Sequence, residues 1–411
     1  MTRLFAASLG AALPLGTLAA CGSEPGQKIR TVRGVSARVA PVDPRPFARA
    51  DTVFGLNLMH AWCQEDPRAN VVLSPSSVAS GLGMVHLGAR GETAKAMART
   101  LALPKGDPLP GLNARNRAMK GIGGDTTLHI TDQVWSDKQN PPSQDYLNRV
   151  ATAYDAGLNL LDIQGDPDGA RRTVNEAVEK STRGRISDLL PEGAVTRDVG
   201  WILTDAVYLK ARWAAEFKRS GTGRTPFTTA DARTVQATTM NRAGQYGLAR
   251  VPGWTAVDMP YRGGALAMTA LLPDRPAACP RVDAAALAKI TGALRPTLLD
   301  LTVPKVELRS RADLKPLLTG LGMGTAFSGD ADLTGISPKA TRLAFVRHAA
   351  SLTMDEKGTE AAAATGAGVG ALAAPPPGVK VVFDRPYVLV VRDTRTGEPL
   401  FLATVADPSR S

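Results

Sequence analysis

The chain has 411 residues, 44% of them hydrophobic and 21% charged, a balance that excludes wholesale disorder. Forty Gly and thirty Pro fall far short of a collagen-like repeat, and with aromatics at 5% the core must come mainly from Ala, Val and Leu. The net charge of +11 is uneven: residues 22–50 hold six basic side chains against two acidic ones, and residues 51–411 carry only +6. No segment combines a dense Lys/Arg stripe with aromatics, so a nucleic-acid partner is not expected, and the lack of an internal repeat removes solenoids and propellers.

Residues 1–20 read as an export signal: Arg3 gives a weak basic start, Leu4 to Leu18 an apolar middle, and Ala19-Ala20 the small residues before a cut. Leu18-Ala19-Ala20-Cys21 resembles the bacterial lipobox, which predicts lipidation of Cys21, membrane attachment through that lipid, and an exported cell-envelope or extracellular protein. Residues 21–50 are rich in Pro, Gly, Ser and Arg without apolar periodicity and are expected to be a flexible tether, reaching roughly 30 Å. The folded domain is then expected to cover 51–411. Two further thiols, Cys63 and Cys279, either pair in an oxidising compartment or stay buried and single.

Asp51 to Gln64 carries apolar residues at helical spacing, with Asp51 as the expected N-cap. Ser74 caps a second helix whose first position is Pro75, and Ser77, Ser80, Gly81 and Gly83 leave room for close approach. Later segments have strand texture: Trp201–Leu209, Leu266–Leu272, Leu301–Leu308, Leu343–Met354, Val379–Phe383 and Tyr387–Val391. Helices early and strands later predict one large α+β domain with antiparallel sheets. The sequence contains no G-x-S-x-G, S-x-x-K, H-E-x-x-H or P-loop motif, and His60, His86, His129 and His348 lack metal-ligand spacing. No enzymatic activity, metal or cofactor is expected.

Residues 356–378 stand apart. Glu356, Lys357, Gly358, Thr359 and Glu360 precede Ala361, Ala362, Ala363, Ala364 and Thr365, and an Ala/Gly run ends in three Pro. At the strand period of two, one face reads Thr359, Ala361, Ala363, Thr365, Ala367, Val369 and Ala371, uncharged throughout. Such a segment is suited both to an exposed loop and to a strand inside a sheet, with Gly358 as hinge.

Several motifs in order resemble the serpin family. They are Asn70 to Ser77 with Leu87 to Thr93, Thr204 to Trp213 with Phe217, Val303 to Val306, the hinge Glu356 to Thr365, and Phe383 to Tyr387 with Leu400-Phe401 and Pro408. The resemblance implies helices around three largely antiparallel sheets, an exposed reactive-centre loop, and a monomeric suicide inhibitor whose partner is a target serine protease. It further implies a scissile bond between Leu372 and Ala373, with Ala371 as alternative bait; hinge residues Glu356, Gly358 and Thr359 to Thr365; a shutter of Ser74, Ser77, Asp205 and His348; and Trp213 at the breach where insertion starts. Asp205 stands where the family usually has Asn, which points to pH-sensitive insertion through His348. No Lys or Arg lies between Thr359 and Val379, so targets of chymotrypsin-, elastase- or subtilisin-like preference are expected. Arg115, Arg117 and Lys120 are too few for a glycosaminoglycan site. The alternative is a non-inhibitory serpin acting as carrier or structural protein.

Overall fold

The computed structural model describes residues 26–123, 126–359 and 378–410. Cys21 and residues 360–377, which include Leu372, Ala373 and most of the hinge, lie outside them.

The first half carries most of the helices. β1 (Arg30–Val32) and α1 (Arg45–Glu65) lead to β2 (Val71–Leu73) and α2 (Pro75–His86). Next come α3 (Gly91–Thr100), α4 (Leu109–Lys120), β3 (Thr127–Asp137) and α5 (Gln144–Tyr154), then β4 (Leu158–Leu161) and α6 (Pro167–Ser181). The second half is mostly strands: β5 (Trp201–Arg212), β6 (Thr222–Thr228), β7 (Thr234–Val251), β8 (Trp254–Pro260) and β9 (Leu266–Pro273). After α7 (Ala284–Ala293) follow β10 (Arg295–Pro304), β11 (Val306–Asp313), the short α8 (Lys315–Leu318) and β12 (Arg347–Met354). β13 (Gly358–Thr359), β14 (Val379–Val382), β15 (Tyr387–Asp393) and β16 (Pro399–Val405) complete the chain.

The α+β expectation holds, with one difference in sheet count. The described strands form a seven-stranded sheet, β1-β4-β3-β5-β13-β12-β11, and a nine-stranded one, β14-β10-β7-β8-β9-β15-β16-β2 with β6 on β7. The expected second and third sheets are continuous because β7 runs 18 residues, pairing with β6 and β10 along most of its length and with β8 at its end. The predicted Leu301–Leu308 strand is two strands, broken at Lys305, and the segment before Arg347 is not strand.

The tether reading is corrected. Thr31 and its neighbours pair antiparallel with β4, extending the main sheet at its edge. Gln27 accepts from Asp162 N and donates to the carbonyls of Asp162 and Asp166, while Arg33, Val35 and Ala37 bond to Asp155, Asn148 and Thr152. Unpaired edge backbone is a template for any extended segment, and short polar stretches without apolar periodicity still satisfy it.

The expected cap of α1 is also corrected. The helix starts at Arg45, and Asp51 is buried two turns in, where it meets Arg115 of α4. Arg115 reaches Glu398 at 3.2 Å and donates to Ser80 Oγ and Ser76 O, so this guanidinium is wholly internal. Burial alone would lower the Arg115 pKa, but Asp51 and Glu398 outweigh it and raise it. By contrast Ser74 caps α2 as expected, accepting from Ser77 N at 3.3 Å.

Cys63 and Cys279 form a disulfide, Cα atoms 5.9 Å apart, tying the end of α1 to the approach to α7. It closes the question that spacing left open.

Removing one partner of a buried ion pair strands the others in low dielectric. Arg115→Met is expected to destabilise the native form by about 3–5 kcal/mol, read from denaturant midpoints, whereas Arg117→Met on the same helix leaves it nearly unchanged.

Candidate functional site

Two linked regions of the main sheet carry the predicted residues. The first is the end of the sheet where β13 lies. β5 and β12 run parallel and pair directly, Thr204 to Val207 against Arg347 to Ala350. Beyond those pairs they part, and β13 sits between them: Gly358 and Thr359 pair antiparallel with Arg212 and Ala211, and Thr359 also with Met354.

Each side chain here has a physical task. Gly358 has φ +148°, and a Cβ on it would stand 2.1 Å from the Ala211 carbonyl oxygen, so only glycine fits. Thr359 is buried, its hydroxyl 2.5 Å from Tyr261 Oη. Tyr261 stacks on Trp213 with ring centroids 4.6 Å apart. Trp213 donates from Nε1 to Asp355 O at 2.8 Å, and its backbone N–H donates to Lys357 O. Glu356 accepts from Thr222 Oγ1 at 2.7 Å and from Lys305 Nζ at 2.8 Å. Burial alone would raise the Glu356 pKa, but the bonds from Lys305 and Thr222 outweigh it and hold the carboxyl below its ordinary value. Trp213 and Glu356 thus hold the stem, Asp355 to Thr359, onto the sheet.

The second region underlies the β5–β12 pairs. The predicted set Ser74, Ser77, Asp205 and His348 does come together, all four buried. His348 Nε2 accepts from Ser74 N–H at 3.4 Å, and its Nδ1 faces Asp205 Oδ2 3.3 Å away without a hydrogen bond between them. Trp62 of α1 packs edge-on against the His348 ring.

Sequence reasoning missed the fifth member. Asp132 of β3 approaches Ser77 Oγ at 2.5 Å, while the same oxygen bonds Asp205. One hydroxyl proton cannot serve two carboxylates. The arrangement is satisfied when a protonated Asp132 donates to Ser77 Oγ and Ser77 donates to Asp205. Burial, then the negative charge of Asp205, pushes the Asp132 carboxyl well above the ordinary carboxylate range. No motif flags Asp132; only the antiparallel pairing of Asp132 with Asp205 across β3 and β5 reveals it.

The predicted bait residues Leu372, Ala373 and Ala371, the hinge residues Glu360 to Thr365, and the lipidation residue Cys21 lie outside the described residues. Arg115, considered as a surface cation, instead faces inward.

The family description "Serpin (serine protease inhibitor)" matches residues 49–408. The chain is a serpin. It therefore belongs to a family of serine protease inhibitors, not of catalysts. Leukocyte elastase inhibitor from Bos taurus is 30% identical over 379 residues, covering 88% of this serpin and 99% of the relative. The human protein of that name is 28% identical with the same coverage, and Iris from Ixodes ricinus is 30% identical over 84% of this chain and 93% of its own. The native structure of the thermophilic serpin tengpin superposes with a TM-score of 0.81 at 22% identity, covering 92% of this chain and 97% of tengpin. Uncleaved ovalbumin gives 0.77 at 20% identity, covering 88% of this chain and all of that one. At those identities the structures speak for the fold.

Two predictions follow from the geometry. A carboxyl whose folded pKa is raised contributes stability in full below its unfolded value, near 3.8 for Asp132, and loses it as pH rises through the folded value. The urea midpoint of the native form should therefore fall as pH is raised from about 4 through neutrality, and Asp132→Asn, which keeps a donor toward Ser77, should flatten that slope. Separately, Glu356→Ala should cost about 1.5–3 kcal/mol through two lost hydrogen bonds to a charged group, measured against a Lys305→Ala and double-mutant cycle.

Proposed function

We propose that this serpin inhibits serine proteases of apolar preference by trapping them as acyl-enzymes while residues 358–369 enter the main sheet as a full strand. The observation that carries this reading is β13. Two residues of the segment already occupy the gap between β5 and β12, with the small, uncharged face turned inward at Thr359.

Continuing the two ladders downward gives the inserted register. The pairing that sets Thr359 opposite Ala211 and Met354 sets Ala361 opposite Leu209 and Leu352, and Ala363 opposite Val207 and Ala350. Both ladders then bring Thr365 between Asp205 and His348, the two residues that now face each other across the seam. A hydroxyl arriving there is able to accept from one and donate to the other, so the shutter pair is parted without stranding either group. The ladder reaches Trp201, the end of β5, at Val369. Leu372 falls just beyond the strand.

The chemistry belongs to the target. Its nucleophilic serine attacks the Leu372 carbonyl carbon, the Leu372–Ala373 bond breaks, the amine of Ala373 leaves with a proton, and an ester joins protease to Leu372. Insertion replaces four parallel residue pairs with antiparallel ladders on both sides. About ten added ladder bonds at roughly 1 kcal/mol each give a drive of about 10 kcal/mol, and one charge on the inward face would offset much of it. Relatives named leukocyte elastase inhibitors support elastase-like enzymes among the targets. The lipobox-like Leu18 to Cys21 supports export and attachment to a membrane by lipid on Cys21. Residues 360–378 offer no Lys or Arg to an acidic specificity pocket.

The test is to mix residues 22–411 with pancreatic elastase, chymotrypsin and trypsin and to follow adducts on denaturing gels. The expected result is a denaturant-resistant adduct with elastase or chymotrypsin, a released peptide beginning at Ala373, and no comparable trypsin adduct. Thr365→Arg should convert the inhibitor to a substrate, with the same cleavage and at least tenfold less adduct. Cleavage without adduct across the wild-type panel would overturn inhibition in favour of a carrier or structural role.

A further inference from the structure

Beside the shutter, between β3 and the helices beneath it, lies a cavity of about 290 Å³, room for roughly ten water-sized units. Met84, Met119, Leu128 and Ala156 give it an apolar body. Its polar lining includes Asp132, half-buried, and Tyr154, whose Oη is buried and makes no hydrogen bond. A buried hydroxyl without a partner costs about 1–3 kcal/mol, so it marks an unfilled place for a donor or acceptor.

The sign of the preferred ligand follows from the surrounding charges. Behind the cavity wall, Asp51, Glu398, Asp132 and Asp205 share one guanidinium, Arg115, and one imidazole, His348. Arg115 is spent on Asp51 and Glu398. Lys120, at the mouth, is held by Asp155 at 2.8 Å, and Asp155 also faces Arg33. Asp132, the carboxyl that lines the cavity, holds a proton because no free cation stands beside it; an anion there would add to the unanswered charge, whereas an ammonium can take the place of that proton.

We propose that this cavity is a binding site for a linear aliphatic primary amine, its ammonium donating to Asp132 and to Tyr154 Oη and its alkyl chain lying against Met84, Met119 and Leu128. The ammonium takes over the charge neutralisation that a proton on Asp132 otherwise supplies, so no second proton is needed between Asp132 and Asp205.

The site also reports on the state of the sheet. One wall, with Leu128 and Asp132, belongs to β3, which is paired to β5; the other belongs to α2, α4 and the end of α5. A strand entering between β5 and β12 must part them by about 4.8 Å, and moving β5 and β3 across α2 pulls Asp132 away from Ser77 and dismantles the cavity. An amine therefore binds the closed sheet and retards spontaneous insertion. This second consequence rests on the insertion reading above; binding itself does not.

The experiment titrates methyl-labelled methionine in the protein with n-pentylamine, 1,5-diaminopentane, pentanoate and pentanol, observed by NMR. Saturable shifts of the Met84 and Met119 methyls with the amines alone, lost in Asp132→Asn and in Ala156→Phe, are the expected result. Ala156→Phe fills the mouth without touching the shutter, so it keeps the test meaningful if Asp132→Asn misfolds. No shift with either amine, equal shifts with pentanol or pentanoate, or unchanged amine binding in a folded Asp132→Asn would each overturn the proposal. Spontaneous loop insertion should then slow about tenfold at ten times the measured dissociation constant. An unchanged rate with saturable binding would overturn the coupling, and loss of protease adducts with binding intact would strike the insertion reading instead.

Discussion

The seam between β5 and β12 governs this molecule. Parallel neighbours are the weaker kind of pair, and only four residue pairs join the two strands before they splay around β13. Sheets ordinarily resist the addition of a central strand because every backbone group in the interior is already bonded. Here the interior holds a short, parallel and partly opened contact, so a better-bonded arrangement is within reach. On the proposed insertion, two sets of contacts oppose that arrangement: the Glu356–Lys305 pair and the Trp213–Tyr261 stack at one end, and the hydroxyl and carboxyl cluster on α2 below.

The two regions differ in how they hold. At the stem of the loop each contact concerns one or two residues, most of them buried, with Lys305 partly exposed. Under the seam they are shared. Ser77 is bound to strands β3 and β5 at once, Ser76 and Ser80 carry the same helix to Arg115, and Arg115 reaches α1 and the start of β16 through Asp51 and Glu398. A helix of small residues lies under the sheet because larger ones would not allow this approach; a Cβ at Gly81 would stand 2.8 Å from a methyl of Leu203. Movement of the sheet over α2 therefore disturbs a network that crosses much of the molecule, which gives the closed state a cooperative threshold.

Much of this was readable from residue order, and the reasons are specific. Ser74 before Pro75 is a local cap signal, and caps depend only on their own turn. The hinge was visible because an uncharged alternating face next to Gly358 is rare in a loop and costs nothing to recognise. Asp51 misled because an acidic residue ahead of an apolar run is the usual start of a helix, whereas here it answers a guanidinium from a helix many residues away. Asp132 was silent for the same reason: its meaning depends on register with Asp205, which no window along the chain contains. The division at Lys305 was hidden because apolar residues continue across it, from Leu301 and Val303 to Val306 and Leu308, and a change of sheet leaves little trace in composition.

The edge strand β1 has a geometric consequence. Gln27 docks at the end of the main sheet marked by Trp201 and Leu161, while β13 enters at the other end, about twelve residues or roughly 36 Å along β5. Five peptide steps separate Cys21 from Gly26, at most ~18 Å of chain. Under the proposed lipid attachment at Cys21, that short connection keeps the Gln27 end of the sheet near the membrane and leaves the end where β13 enters as the farther one. On the proposed insertion, a protease caught at the far end would be carried toward the anchored one, so that the anchor would set not only where the inhibitor waits but the direction in which it works.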